Sequence, residues 1–330
     1  MEEFIIRCAQ GDDIQSIMQF IGECWKKGHI LAENRVLFEW QYVDGNNVNF
    51  ILGLDKAGEI QGILGFVPYG AEDDKDIALS LWKANSTNAF LGIKLLMFLM
   101  EEVPHRNIVC PGINLKTTAK IYERFGMYVD TMRQWYRLRK LPSYTIARIA
   151  SNEIPGYNGE QYEPVRVTAF EETERKFDFS GYKKENSVPH KSADYIRKRY
   201  FDHPSYEYLV YGIGKGNLFD ALIVLRVQEY KGRNILRFVD CIGDVNRISN
   251  ITGAVDKLLC EFDAEYIDMY EAGLSERMLI GSGWRLAQTS GNIIPNYFSP
   301  YEQCNVDIHY CTSDKSSVLF RGDGDQDRPS

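Results

Sequence analysis

The 330-residue sequence lacks the paired spacings that hold metals or form disulfide frameworks. Its seven cysteines are an odd number and include no Cys-x-x-Cys pair, and its five histidines form no His-x-His or His-x-x-x-His pair. We therefore expect reduced thiols, as in a cytoplasmic protein, and no zinc or other metal site.

Long apolar runs and an excess of basic charge are also missing. The most apolar stretch, residues 89–100, is shorter than the about 20 residues that a membrane-spanning helix needs, and the start MEEFIIRC has no signal-peptide pattern. The 38 basic and 46 acidic residues give a net charge of -8, which disfavours nonspecific binding to nucleic acid or to an acidic membrane. We expect a cytoplasmic protein whose partners are small molecules.

The sequence does contain a regular succession of strands and helices. Apolar periodicity in residues 1–140 predicts the order β-α-α-β-β-β-α-β-α-β. The predicted strands cover about 3–9, 48–54, 59–67, 77–83, 108–110 and 131–139, and the predicted helices about 14–25, 34–42, 90–103 and 119–125.

One strand–helix unit, NIVCPGINLKTTAKIYERFGM at residues 107–127, has features of a ligand site. Its strand contains Pro111, which cannot donate a ladder hydrogen bond, so the strand must be unpaired on that side. Free backbone groups beside a helix N-terminus suit an extended ligand that carries phosphate.

This unit resembles the β5–α4 unit of the GCN5-related N-acetyltransferase (GNAT) superfamily. The family pattern of Asn, Tyr and Gly followed by an apolar residue is matched by Asn114, Tyr122, Gly126 and Met127. In the family the two strands splay and the pantetheine arm of acyl-CoA fills the gap. The resemblance implies that Asn114 holds the pantetheine and that Tyr122 protonates the departing thiolate. The alternative is a common strand–helix unit whose tyrosine only packs in a core.

The resemblance also implies a CoA site along the preceding strand and helix. Strand 77–83 would be the inner edge of the splay, and the stretch TNAFLGIKLL would replace the family's glycine-rich phosphate loop, of which only Gly92 fits. Gly92 could instead ease helix packing. The cofactor-binding candidates are Leu81, Trp82, Lys83, Phe90, Leu91, Gly92, Ile93, Asn114 and Thr118.

The second half of the sequence repeats the order of elements without repeating the chemistry. Residues 141–190 read as a connector with one or two short elements, and residues 191–330 as a degenerate GNAT-like domain. Ser275 stands where the capping Asn would be, and no Tyr precedes Gly283. The predicted fold is α/β (α+β), with two GNAT-like domains that each have a mixed, mostly antiparallel sheet flanked by helices. The splay and the acyl-CoA site are expected only in domain 1–140.

The acceptor side is suggested by a more diffuse resemblance. Residues 25–42 and the tail motif DGDQDRP resemble tandem-GNAT proteins of bacterial surface-polysaccharide pathways, some of which acylate nucleotide-linked amino sugars. The resemblance implies acyl transfer to the amine of a dTDP- or UDP-linked deoxy amino sugar. His29 is the first candidate base, followed by Asp240 and His203, although each could instead make a structural hydrogen bond.

Three points stay open at this level. The tail carries aspartates at 323, 325 and 327 without the spacing of a calcium loop, so it is either solvated or folded back towards the active site. A Fem-like aminoacyl transferase that uses aminoacyl-tRNA and a non-catalytic GNAT-fold binding protein are the alternative functions. The net charge of -8 disfavours the Fem-like transferase, which must bind tRNA. The phosphate loop, in which only Gly92 fits the family pattern, favours the non-catalytic binding protein. The oligomeric state is open, a homodimer included.

Overall fold

Two eight-stranded sheets flanked by helices form the described part of the protein. The structure is a computed structural model that describes residues 4–85, 89–183, 187–324 and 326–329. Both sheets are mixed and mostly antiparallel, and each contains one parallel pair of neighbouring strands. The predicted fold class is confirmed.

The first sheet has the strand order β1-β3-β4-β5-β6-β15-β7, with β2 beside β3. Its strands are β1 (Ile5–Gln10), β2 (Val43–Asp44), β3 (Asn47–Leu54), β4 (Ile60–Pro68), β5 (Ile77–Ala84), β6 (Ile108–Pro111), β7 (Tyr128–Thr131) and β15 (His309–Thr312). Its helices are α1 (Ile14–Phe20), α2 (Ile30–Glu33), α3 (Arg35–Tyr42), α4 (Ala89–Glu102) and α5 (Ala119–Arg124). The start of α3 follows from the sequence, because the side chain of Asn34 caps it by accepting the Leu37 N–H at 3.0 Å.

The second sheet repeats this plan with the order β14-β8-β13-β12-β11-β10-β9, and β16 beside β13. Its strands are β8 (Arg133–Leu138), β9 (Val165–Val167), β10 (Leu209–Ile213), β11 (Ala221–Tyr230), β12 (Arg233–Gly243), β13 (Ala264–Ala272), β14 (Arg285–Leu286) and β16 (Leu319–Phe320). Its helices are α6 (Phe170–Lys176), α7 (Ala193–Tyr200), α8 (Thr252–Glu261), α9 (Glu276–Gly281) and α10 (Ala287–Ser290).

The two halves exchange strands, which the periodicity of the sequence does not predict. Strand β8 was expected to close the first sheet, but it pairs with β13 in the second. Strand β15, from near the C-terminus, takes the place beside β6 in the first sheet. The sheets therefore do not follow the predicted division at residue 140. The alternation of side chains marks a strand but does not say which sheet it joins.

A shared core joins the halves. One apolar cluster contains residues of both sheets, and the rings of Tyr69 and Tyr195 meet edge to face with centroids 4.8 Å apart. The predicted connector supplies β9 and α6 to the second half. No helix within the described ranges is long and apolar enough to cross a membrane.

Candidate active site between two parting strands

Strands β5 and β6 run parallel but pair only at their first residues. The register joins Ile77 to Ile108 and Ala78 to Val109, whereas β5 continues to Ala84 and stays paired with β4 on its other side. Beyond Ala78, the β6-facing edge of β5 has no strand partner among the described residues. The gap therefore offers backbone N–H and C=O groups to an extended ligand.

A β-bulge shapes the edge of this gap. Leu64 and Phe66 of β4 face Trp82 and Leu79 of β5, so β5 carries one extra residue between them. Ser80 in the bulge accepts a hydrogen bond from the Tyr42 hydroxyl at 3.0 Å. A Cβ at Gly65 would come within 2.9 Å of the Ser80 hydroxyl, so glycine is required opposite the bulge.

Tyr122, the proposed acid, contacts both parting strands. Its side chain is 2% exposed, its ring centroid lies 5.4 Å from that of Trp82 on β5, and its hydroxyl lies 3.7 Å from Cys110 Sγ on β6. Burial, followed by the neighbouring thiols of Cys110 and Cys311, raises the pKa of Tyr122 well above its usual value. The hydroxyl therefore keeps its proton at neutral pH, as a proton donor must.

The candidate CoA residues of β5 have different surroundings. Leu81 is buried in the core, whereas Trp82 and Lys83 are half-buried. The Trp82 indole donates a hydrogen bond to the Gly92 carbonyl at 3.2 Å, which ties β5 to the first turn of α4. A Cβ at Gly92 would lie 3.3 Å from the indole nitrogen. The close approach of Trp82 is thus a packing reason for glycine at this position.

Only some of the four candidate residues in the first turn of α4 have a free backbone amide. The first four N–H groups of a helix have no intrahelical acceptor, so those of Phe90 and Leu91 remain for a ligand, while Ile93 donates within the helix. Phe90 is 76% exposed, and Leu91 is buried. Residues 87 and 88 of the predicted phosphate loop lie outside the described residues.

Asn114 and Thr118 form a closed turn ahead of α5. The Asn114 side-chain oxygen accepts the Lys116 N–H at 2.9 Å, and its carbonyl accepts the Thr118 hydroxyl at 3.1 Å. Asn114 is exposed, whereas Tyr122 is buried. The two side chains therefore belong to the same strand–helix unit, but Asn114 lies on the protein surface and Tyr122 lies in the interior.

The candidate bases each have hydrogen-bond partners within the fold. His29 is buried as the N-cap of α2, where its Nδ1 accepts the Leu31 N–H at 3.2 Å. Asp240 is buried, and both of its oxygens accept from Lys191 at 2.6 and 2.7 Å. Burial raises the pKa of Asp240, and the Lys191 ammonium opposes this shift. These are the structural roles that the sequence left open, and neither residue lines the cavity described next.

A cavity of about 180 Å³ lies between the two halves. Its wall includes Trp40 and Gln41 of α3, Asn49 of β3, Val67 and Pro68 of β4, Tyr195, Lys198 and Arg199 of α7, and Gly324 of the tail. A Cβ on Gly324 would lie 3.2 Å from Pro111 and 3.6 Å from Ala78, the residues at which β6 and β5 part. The cavity therefore opens beside the gap. No pattern in the sequence indicates that one face of α7 meets the first half.

The tail is folded back between the sheets rather than solvated. Phe320 pairs with Glu271 of β13, and the Gly322 N–H donates to the Val239 carbonyl of β12 at 2.7 Å. This segment occupies the space where β12 and β13 separate after Phe238.

The tail carboxylates are engaged by cations of the protein itself. Asp323 lies 2.9 Å from the Lys191 ammonium, and Asp327 lies 2.8 Å from the Arg226 guanidinium. Asp325 lies outside the described residues. The aspartates at 323 and 327 thus form two buried ion pairs.

Comparison with known proteins places the fold. No family model matches the chain, and no curated protein does. A protein of Enterococcus faecalis V583 described as a probable N-acyltransferase is similar in structure, with 8% identity, 93% of this chain and 72% of that chain covered, and a TM-score of 0.56. A GCN5-related N-acetyltransferase of Anabaena variabilis ATCC 29413 is similar with 10% identity, 94% and 72% coverage, and a TM-score of 0.55. Over nearly its whole length, the chain has the fold of the GCN5-related N-acetyltransferases.

Proposed function

We propose that the protein is an N-acyltransferase that moves an acyl group from acyl-CoA to the amine of a small acceptor. The observation that carries the proposal is the parting of β5 and β6 with Tyr122 against both strands and a cavity at the point of divergence. Acyl-CoA is the co-substrate, with its pantetheine along the open edge of β5.

The reaction is direct attack of the amine on the thioester. The acceptor amine, held in the cavity, forms a C–N bond with the thioester carbon, and a backbone N–H of β5 near the bulge stabilises the oxyanion. The C–S bond then breaks, and Tyr122 gives its proton to the CoA thiolate. The remaining CoA-binding roles fall to the first turn of α4 and to the turn of Asn114 and Thr118.

The ammonium proton of the acceptor needs a base. His29 and Asp240 are the candidates from the sequence, and each already has a partner in the fold. The cavity adds two exposed carboxylates, Asp44 and Asp194. The pH dependence of kcat/KM in His29→Gln, Asp44→Asn, Asp194→Asn and Asp240→Asn variants separates these candidates, because only loss of the base removes the acidic limb.

The proposed acceptor is a nucleotide-linked amino sugar. The motive is the resemblance of residues 25–42 and of the tail, which contribute Trp40, Gln41 and Gly324 to the cavity. A volume of about 180 Å³ suits one ring-sized group, since cavities of about 150 Å³ hold benzene. The amino sugar would enter the cavity, and the nucleotide would extend outside it.

A thermal-shift panel of CoA, acetyl-CoA and dTDP- or UDP-linked sugars tests the proposal. A ligand at a hundred times its Kd should stabilise the protein by about 2.7 kcal/mol. Stabilisation by CoA together with a nucleotide sugar is expected. No stabilisation by CoA would favour the non-catalytic binding protein, and a gel shift with charged tRNA would favour the Fem-like transferase.

A further inference from the structure

Five buried hydrogen-bond donors near the cavity lack an acceptor among the described residues. They are the Trp40 Nε1, the Gln41 Nε2, the Tyr195 hydroxyl, the Arg199 Nε and the His203 Nε2. The first four belong to residues that line the cavity. Buried polar groups in folded proteins nearly always have a partner, so a cluster of unpartnered donors indicates a missing group that accepts hydrogen bonds.

Three of these donors are packed against one another. The ring centroids of Trp40 and His203 lie 4.3 Å apart, and the Arg199 guanidinium lies 5.8 Å from the centroid of the Trp40 ring. The Nδ1 of His203 accepts the backbone N–H groups of Ser205 and Tyr206 at 3.0 Å each, so the proton of the neutral ring is on Nε2. Burial, followed by the charge of Arg199, lowers the pKa of His203 to about 3, which keeps the ring neutral.

Arg199 adds a buried positive charge to the same wall of the cavity. Its side chain is 6% exposed, and its Nη2 donates to the backbone carbonyl of Asp327 at 2.7 Å. No carboxylate of the described residues lies within ion-pair distance of it. The Asp327 carboxylate is engaged by Arg226 at 2.8 Å and by the Tyr208 hydroxyl at 2.9 Å. The Asp327 carboxylate acts on Arg199 through space, but its hydrogen bonds go to Arg226 and Tyr208, so the Nε of Arg199 stays unpartnered. The planar fork of a guanidinium fits carboxylate and phosphate.

We propose that the wall formed by α3 and α7 binds an oxyanion of the acceptor, a carboxylate or a phosphate, through Arg199, Trp40 and Tyr195. The inference rests on the proposed function, because it names the chemistry of the acceptor in the same site. The acceptor is then an amine that also carries an oxyanion, and its amine points away from Arg199 towards Gly324 and the gap.

Two features of the cavity bear on how such a ligand enters. The unpartnered atoms are out of contact with solvent, so binding requires small rotations of the Tyr195 and Arg199 side chains. The exposed carboxylates Asp44 and Asp194 also lie at this cavity. Their repulsion of the anion is weakened by solvent and salt.

The first test measures simple oxyanions without CoA. Wild-type protein is titrated with sodium phosphate and with sodium acetate against sodium chloride at equal ionic strength, with the melting temperature as readout. We expect saturable stabilisation by phosphate or acetate and none by chloride. The Arg199→Met variant should weaken that binding by about 10- to 100-fold, as for a charge-assisted hydrogen bond.

Matched variants separate binding from folding. Arg197→Met makes the same change on the exposed side of α7 and should leave oxyanion binding unchanged. Arg199→Lys keeps the charge, and Trp40→Phe keeps a ring but removes the indole N–H, so both should fold and bind more weakly than wild type. Unchanged oxyanion binding in Arg199→Met and Trp40→Phe would overturn the proposal.

The second test identifies the source of the oxyanion with acetyl-CoA as donor. Glycine and phenylalanine are the acceptors that carry a carboxylate, and glucosamine 6-phosphate and a UDP-linked amino sugar are those that carry phosphate. Glucosamine is the acceptor amine without an oxyanion. We expect one acidic class to be used and its KM to rise in Arg199→Met, with an unchanged Kd for acetyl-CoA. Equal use of glucosamine in wild type and variant would contradict the inference.

The two proposals fail in different ways. The protein could bind oxyanions through Arg199 yet neither bind CoA nor transfer an acyl group to any acceptor. That result would contradict the proposed function and support the oxyanion site. Acyl transfer at the same rate to acceptors with and without an oxyanion would contradict the oxyanion site and support the proposed function.

Discussion

The two sheets contain the same divergence of parallel strands, and the two gaps have different contents. In the first sheet, β5 and β6 part after Ala78, and no described strand enters between them. In the second, β12 and β13 part after Phe238, and the tail lies between them, with β16 paired to β13 and the Gly322 N–H bonded to Val239. The tail reaches only the rim of the first gap, where the Gln326 amide donates to the Pro111 carbonyl at 3.2 Å, and the open edge of β5 has no strand partner among the described residues. The second gap is filled by the chain itself.

The difference shows how one topology serves either binding or packing. In the second gap, Phe320 packs against Phe238 with ring centroids 5.9 Å apart, while Asp323 reaches the buried Lys191. This half also lacks the Asn and Tyr of the first, since Ser275 caps α9 by accepting the Met278 N–H at 3.3 Å. A gap that is filled from within the chain needs no ligand-binding side chains, and so the second half supports the site and anchors the tail.

Loss of the Tyr122 hydroxyl should have the largest effect. Tyr122→Phe is expected to lower kcat by about 10²- to 10⁴-fold, because the thiolate then leaves without a positioned acid. The Kd for acyl-CoA, measured by calorimetry, should change little. Tyr128→Phe removes an exposed hydroxyl and should be neutral for kcat. If kcat of Tyr122→Phe equalled that of wild type at every pH, the acid role would be wrong.

Breaking the tail ion pair should destabilise the second half. Asp327→Asn leaves the buried Arg226 without its anion and should cost about 3–5 kcal/mol in the free energy of unfolding, measured by denaturant titration at pH 7. Asp202→Asn, in an exposed pair with Arg197, should cost less than about 1 kcal/mol. Equal costs for the two variants would mean that the tail pair contributes no more than a surface pair.

The same ion pair predicts a pH dependence. Burial alone would raise the pKa of Asp327, but the Arg226 guanidinium outweighs burial and holds that pKa well below its usual range. The unfolded carboxyl, with a pKa of about 3.9, binds protons first, so this stabilisation is present above about pH 4 and is lost as the pH falls further. The slope of stability against pH below about pH 5 should therefore be smaller in Asp327→Asn.

Removing the Phe320 side chain from the second gap should change stability but not acyl-CoA binding. Phe320→Ala is expected to cost about 3–5 kcal/mol, because it empties a buried aromatic site. Tyr297→Ala, at an exposed ring, is the control. Calorimetry should give one acyl-CoA per chain for wild type and for Phe320→Ala alike, since the second half lacks the binding side chains. Two acyl-CoA sites per chain in wild type would mean that the second half also binds acyl-CoA.

The smallest effect is expected at the head of α4. Gly92→Ala combines a helix-propensity gain of up to about 1 kcal/mol with a close contact to Trp82, so its net stability change should stay below about 1 kcal/mol. Gly281→Ala in α9 meets no neighbour and should only stabilise. A large loss of acyl-CoA affinity in Gly92→Ala without loss of stability would favour a direct phosphate role over packing.

The part of the site that is local in sequence could be predicted. The unit of β6 and α5 follows from its apolar spacing, Pro111 and Gly126, and Tyr122 lies against both strands of the gap. The cavity between the halves could not be predicted, because Trp40 and Arg199 are far apart in the chain and meet only when the halves pack. Periodicity identifies the buried face of α7 but not the surface that it faces.

The order of strands and helices and the place where β5 and β6 part follow from the sequence, because side-chain spacing and Pro111 act over a few residues. The exchange of β8 and β15 between the sheets and the filling of the second gap by the tail depend on long-range packing. Backbone hydrogen bonding is the same for every strand, so the choice of partner depends on the packing and buried charges of the whole chain, such as Lys191 for Asp323 and Arg226 for Asp327.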